Sequence, residues 1–297
     1  MRTLIVNLGP AGDIVRTTVL LREIKGEIYW LTKDECKYFL KSPKITKVFF
    51  LENKEDLELL KKIKFDLIIS LNEEHEALKI VKGIETEKLI GVYLDENSEV
   101  KYTHESSYWF DMSLSSKFGK EKADELKLQN KKSVPQILIE MIGKEWKGQE
   151  YDLGIAYNKK QEVKGRIGLI NVATGLWPNK QWQGYDELAE LLRKEGHEAI
   201  FLGMRPSVKD HIKDIIGCEL IVCGDTLGLH LALALKKKVV ALFNCTSPDE
   251  IFDYGRMIKI VSPLFKEYFY KKSFDKRATE AIKVREVLEA VKKLLNT

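Results

Sequence analysis

Short apolar stretches, each of strand length and most followed by a helical segment, recur along this chain in two separate series. In the first, residues 3–8, 27–31, 47–51, 66–71 and 88–92 read as strands, and 14–25 reads as a helix with Leu20 and Ile24 one turn apart on its core side. In the second, strands are expected at 167–172, 198–202, 219–223, 239–243 and 258–261, with helices between them, clearest at 185–195 and 229–235, and a last helix at 280–295. The last helix is amphipathic, with Val284, Leu288, Val291 and Leu295 on one face. Strands alternating with helices predict parallel sheets covered by helices on both faces. The expected fold class is therefore α/β, with two Rossmann-like domains at 1–155 and 156–297. A length of 297 residues suffices for two cores. The last helix could also pack back toward the first domain.

Between the series the pattern weakens. Residues 95–135 lack strong periodicity and carry Tyr102, His104, Tyr108, Trp109 and Phe110. Pro135 precedes an amphipathic helix at 137–142, and 148–165 reads as a linker with one weak strand at 152–156.

Composition narrows the function classes. An apolar fraction of 44% with 32% charged residues fits a soluble globular protein. No apolar run has spanning length, and Met1 leads straight into a strand, so a cytoplasmic location is expected. The net charge of +4 is too small to imply nucleic acid. The excess lies at the end, where residues 255–297 hold 11 Lys and Arg against 5 Asp and Glu. Such a stretch suits either a solvated helix face or a peripheral contact with an anionic membrane. Cys36, Cys218, Cys223 and Cys245 form no CxxC pair, so reduced core thiols are expected and no metal site.

Two loops carry the candidate chemistry. The run from Cys223 to His230 joins a buried strand to an Ala/Leu-rich helix and places Asp225, Thr226 and Gly228 at the junction. A helix start offers free N–H donors and partial positive charge, which suits phosphate. Residues 171–182 follow another strand and bring Thr174, Gly175 and Lys180, with Lys180 between Trp177 and Trp182. Together the loops suggest a pyrophosphate site. Each residue also has a plainer reading: Lys180 as a surface lysine, His230 as a core histidine, Asp225 as a helix cap. Asp13, after the first strand, suits an N-cap or a general base. Gly9 and Gly12 do not make a GxGxxG fingerprint, so a dinucleotide site is unsupported.

Taken together, these segments resemble glycosyltransferase family 9, the ADP-heptose:lipopolysaccharide heptosyltransferases. Residues 4–18, with Gly12 and Asp13, look like that family's opening strand, Gly-Asp turn and helix. Residues 177–182 are similar to its Trp-Pro-x-Lys-x-Trp segment, and 224–230 with 239–243 and 246–248 to its donor signature. The chain departs from the pattern in three places. Leu227 separates Thr226 from Gly228, Asn244-Cys245 stands where Gly-Pro is usual, and residues 203–206 hold no acid to grip a ribose.

The resemblance implies a GT-B fold, with an N-terminal acceptor domain and a C-terminal donor domain facing across a cleft. It implies inverting, metal-independent transfer of a heptose or related sugar from an ADP-sugar to a lipopolysaccharide-core or other glycan or glycolipid acceptor. No cofactor is implied. Asp13 would be the base, in a loop with Gly12 on the acceptor side. Thr174, Gly175, Lys180, Thr226, Gly228 and His230 would hold the diphosphate, and Asp225 the sugar hydroxyls. A UDP- or GDP-sugar donor is the alternative within this fold, and a non-catalytic nucleotide-binding module the alternative outside it.

Overall fold

The computed structural model describes residues 1–113, 117–173, 177–205 and 207–296. Two compact units divide the chain, Met1–Ile155 and Ala156–Thr297.

The first unit holds β1 (Arg2–Val6), β2 (Glu27–Thr32), β3 (Ile45–Phe50), β4 (Phe65–Ser70), β5 (Thr86–Leu94) and β6 (Val100–Tyr102), in the sheet order β3-β2-β1-β4-β5-β6. Its helices are α1 (Ala11–Thr17), α2 (Lys54–Leu60), α3 (His75–Lys82), α4 (Ser107–Asp111), α5 (Gly119–Gln129) and α6 (Val134–Met141). Leu4, Ile5 and Val6 of β1 are fully buried. A central parallel strand covered on both faces has no polar side, so it reads as an unbroken apolar run. The chain runs outward from β1 to β3, then crosses back to β4 on the other flank of β1. The β1–β4 junction is thus the switch point of this sheet, where ligands bind beyond the strand ends.

Several expectations need correction here. The helix expected at 14–25 begins earlier, at Ala11, and tightens into a 3-10 turn at Thr18–Arg22. Asp13 therefore lies inside the first turn, not at the cap; the capping position is Pro10. Residues 95–135 contain β6, antiparallel to β5, and the helices α4 and α5. The weak strand at 152–156 is absent. Side chains of the first unit hold that stretch instead. Arg22 donates to the carbonyls of Glu150 and Tyr151 at 3.0 and 2.8 Å, and Arg22 and Lys44 both pair with Asp152.

The second unit holds β7 (Val163–Ile170), β8 (Glu198–Phe201), β9 (Cys218–Gly224), β10 (Lys238–Phe243) and β11 (Met257–Val261), in the order β11-β10-β9-β7-β8 and all parallel. Its helices are α7 (Tyr185–Lys194), α8 (Val208–Gly217), α9 (Leu227–Ala234), α10 (Phe265–Tyr268), α11 (Lys276–Glu280) and α12 (Val284–Leu295). The helix expected at 280–295 is thus split into the end of α11 and α12. Val287, Leu288, Val291 and Leu294 of α12 join Ile167, Leu169, Val222 and Leu242 in one core, so the apolar face of α12 is buried in its own unit. The switch point here falls between β7 and β9, the strands that precede the two loops singled out above.

Lys237, at the start of the turn into β10, is fully buried. It pairs with Glu162 at 2.9 Å, donates to the carbonyl of Ile216 at 2.6 Å and lies over the Tyr157 ring. Burial pushes its ammonium pKa down, against the pull of Glu162. Among the described residues, no helix is long and apolar enough to cross a membrane.

Candidate active site

In the second unit, the loop after β7 is fixed by residues far along the chain. Pro178–Lys180 forms one 3-10 turn, and Asn179 within it is fully buried. The Asn179 amide donates to the Ser273 carbonyl at 2.8 Å and accepts from the Asp275 N–H at 2.9 Å. Trp182 Nε1 donates to the Ile282 carbonyl at 3.0 Å, and the Gln183 N–H to the Thr279 carbonyl at 3.0 Å. Lys180 is thereby held away from bulk water, its side chain 16% exposed. The surface-lysine reading does not hold.

Lys180 reaches across the switch point. Its Nζ donates to the Asp225 backbone carbonyl at 2.7 Å and to Asp225 Oδ2 at 3.3 Å. These bonds engage two of the three ammonium donors. From the other side, His230 Nε2 lies 3.7 Å from Asp225 Oδ1. Asp225 is thus flanked by an ammonium and an imidazole and caps no helix.

Thr226 occupies the N-cap of α9 without a side-chain cap bond. Its Oγ1 is buried and has no hydrogen-bond partner. The free N–H groups of the first turn of α9 therefore open at the same edge as the ammonium, which concentrates positive charge there. Gly228 lets that turn approach β7: a Cβ on it would lie 2.4 Å from Ile170 Cδ1. Its observed part is packing, setting the height of the helix start. Thr174 and Gly175 lie outside the described residues.

The loop after β10 borders this group. Cys245 lies close enough to Lys180 and Asp225 for both charges to act on its thiol, which burial pushes up to about 11. All four cysteines are free and buried. Among the described residues, no group of three His, Cys, Asp or Glu side chains is placed to hold a metal ion.

In the first unit, Asp13 stands at the carboxyl edge of β1, beside the switch point. Its carboxylate forms an ion pair with Arg16, one turn on, and its side chain is 36% exposed. Arg16 went unread in the sequence, although an opposite charge at i+3 on a helix is a legible signal. Asn7 shapes the turn before it. The Asn7 amide donates to Thr17 Oγ1 at 2.8 Å and accepts from the Gly9 N–H at 2.9 Å. Gly9 leaves room for this, since a Cβ on it would lie 3.0 Å from Asn7 Oδ1 and 3.4 Å from Asp13 Cβ. The Leu8 N–H donates to Asn72 Oδ1, joining the loops after β1 and β4. Gly12 lies within α1.

Residues 207–280 match the family model of glycosyltransferase family 9 (heptosyltransferase). That segment includes Asp225, Thr226, Gly228, His230 and Asn244. The chain matches none of the curated proteins it was compared with.

Among solved structures, it is similar to Escherichia coli heptosyltransferase WaaC with ADP, at 14% identity over 99% of this chain and 100% of that one, with a TM-score of 0.67. It is similar to E. coli ADP-heptose LPS heptosyltransferase II at 16% identity, over 100% of this chain and 99% of that one, with a TM-score of 0.68. A family 9 glycosyltransferase from Veillonella parvula DSM 2008 gives 16% identity, 99% and 97% coverage and a TM-score of 0.70. At such identities the likeness is one of fold. The expected family 9 resemblance and glycosyltransferase fold class, GT-B, are borne out.

Proposed function

We propose that this chain is a heptosyltransferase-type glycosyltransferase that takes a heptose or related sugar from an ADP-sugar, inverts the anomeric centre and needs no metal. The observation that carries the reading is the Lys180–Asp225–His230 group at the β7–β9 switch point, beside the open start of α9. An ammonium and a row of backbone N–H groups at one edge suit a leaving diphosphate, whose charge grows as the glycosidic bond breaks. Asp225 accepts from sugar hydroxyls in this reading, and Thr174 and Gly175 add contacts to the diphosphate. Asp13 takes the proton from the acceptor hydroxyl as that oxygen attacks the anomeric carbon. The first unit binds the acceptor, a lipopolysaccharide-core glycolipid or other glycan, and the second the donor. E. coli WaaC has been solved with ADP and with ADP-2-deoxy-2-fluoro heptose, which supports an adenine nucleotide here.

A bound donor stabilises the native state by mass action, by about 2.7 kcal/mol at a hundred times its dissociation constant. Thermal-shift measurements with ADP-, UDP- and GDP-sugars are expected to raise the melting temperature most with ADP-heptose, with or without EDTA. A larger shift with a UDP- or GDP-sugar would move the assignment to that nucleotide. That second reading draws on the loop after β8, where Arg205 pairs with Asp214 at 2.5 Å and residues 203–206 supply no carboxylate for a ribose.

The acceptor reading extends to location. Lys271, Lys272, Lys276 and Arg277 are exposed around Phe274, itself 60% exposed. A basic segment with a protruding aromatic ring suits the cytoplasmic face of an anionic membrane. Co-sedimentation with phosphatidylglycerol vesicles is expected at low salt and lost at high salt. Equal binding to phosphatidylcholine vesicles, or none to either, would remove the membrane role.

A further inference from the structure

Asn244 leaves β10 at the same carboxyl edge at which Asp225 and Thr226 leave β9. Leu242 of β10 lies opposite Gly224 of β9, and Asn244 and Thr226 each stand two residues beyond that pair. Asn244 is 1% exposed, and neither its Oδ1 nor its Nδ2 has a hydrogen-bond partner. The neighbouring Thr226 Oγ1 is buried and unpartnered as well. Folded proteins pair nearly all their buried polar side-chain atoms. Here three bare atoms gather at the edge that carries Lys180, Asp225 and the start of α9. Each unsatisfied buried group calls for an explanation, and at this edge a ligand that completes the site supplies one.

The chemistry of the amide narrows the ligand. A carboxamide donates from Nδ2 and accepts at Oδ1. A phosphate oxygen only accepts, so it would pair with Nδ2 and leave Oδ1 facing negative charge. Two neighbouring hydroxyls fit both atoms: one accepts from Nδ2 while the other donates to Oδ1. The Thr226 hydroxyl can do either. We propose that Asn244, with Thr226, reads a vicinal diol of the donor, a group that the transferred sugar and the ribose both present. The proposal rests on the donor-site reading above and adds a specificity-determining residue to it. Residues 244–247 are all buried, so the hydroxyls reach the amide as this stretch yields on binding.

Calorimetric titration of the intact chain with ADP and with ADP-heptose tests this, using the UDP or GDP pair if the thermal-shift panel favours one. Asn244→Leu has the same branching and number of side-chain heavy atoms and removes both polar ones. The variant is expected to melt no lower than the parent, because no internal bond is lost. Its affinity for the nucleotide sugar is expected to fall about ten- to a hundredfold. A loss confined to the nucleotide sugar assigns the transferred sugar; an equal loss with the bare nucleotide assigns the ribose. Asn244→Ser, which keeps one hydroxyl, is expected to lose less, and it carries the test if the leucine variant does not fold. Unchanged affinity for both ligands overturns the proposal and leaves the donor site standing. A parent chain that binds no nucleotide or nucleotide sugar overturns the donor-site reading and the proposal with it. A much lower melting temperature in both variants shows a structural bond and also overturns the proposal.

Discussion

Asp13→Asn is expected to lower turnover about a thousandfold, within the range of a lost general base, while calorimetric affinity for the nucleotide sugar stays unchanged. The substitution keeps the shape of the side chain and a hydrogen-bonding oxygen toward Arg16. It removes the proton acceptor. The split between turnover and binding separates two readings of the same fold. A transferase needs a base at Asp13, and a nucleotide-binding module does not. Full turnover in the asparagine variant would defeat the base assignment. Absence of transfer in the parent chain, together with intact nucleotide binding, would favour the module.

Lys180→Met is expected to cost about a hundred- to a thousandfold in turnover, the usual scale for one electrostatic contact to a developing charge. It should also weaken binding of the bare nucleoside diphosphate. Methionine keeps most of the aliphatic stem and loses the charge. Asp225 would then keep the histidine contact and lose the ammonium, so melting temperature has to be measured alongside. Lys180→Arg offers a second arm. It keeps the charge but replaces a compact ammonium with a planar fork, and partial recovery is expected. Turnover and nucleotide affinity equal to the parent's in the methionine variant would remove Lys180 from the site.

How much of this was legible in the sequence depended on the range of the interactions involved. Among the described residues, ten of the eleven strands were readable as apolar runs: central parallel strands buried on both faces admit few polar residues, and the part-exposed edge strands still carry enough apolar ones. β6 escaped: it is three residues long and largely exposed. α8 was expected only as one of the helices between strands, without bounds, although Ser207 accepts from the Asp210 N–H as a cap should. The weak strand at 152–156 misled because its fate is decided by Arg22 and Lys44, more than a hundred residues earlier.

Within the candidate site, Asp225, Thr226 and His230 lie on one strand–helix junction, so local pattern could bring them together. The contact of Lys180 with Asp225 spans 45 residues and needed the sheet order. The sequence marked Asn244 only as a departure from the family's usual Gly-Pro; its significance lies in the partners it does not have.

The anchoring of Lys180 has a consequence for biosynthesis. Trp182 is secured by a carbonyl 100 positions later, and Asn179 by one 94 positions later. A nascent chain can close its β7–β9 junction on the ribosome, yet the lysine gains its final stays only once the last segment has emerged. Units fold as they leave the tunnel, so a stalled or clipped product lacking those final residues would hold a nearly finished sheet with its ammonium adrift. Truncation at that end is therefore more harmful than its distance along the chain suggests.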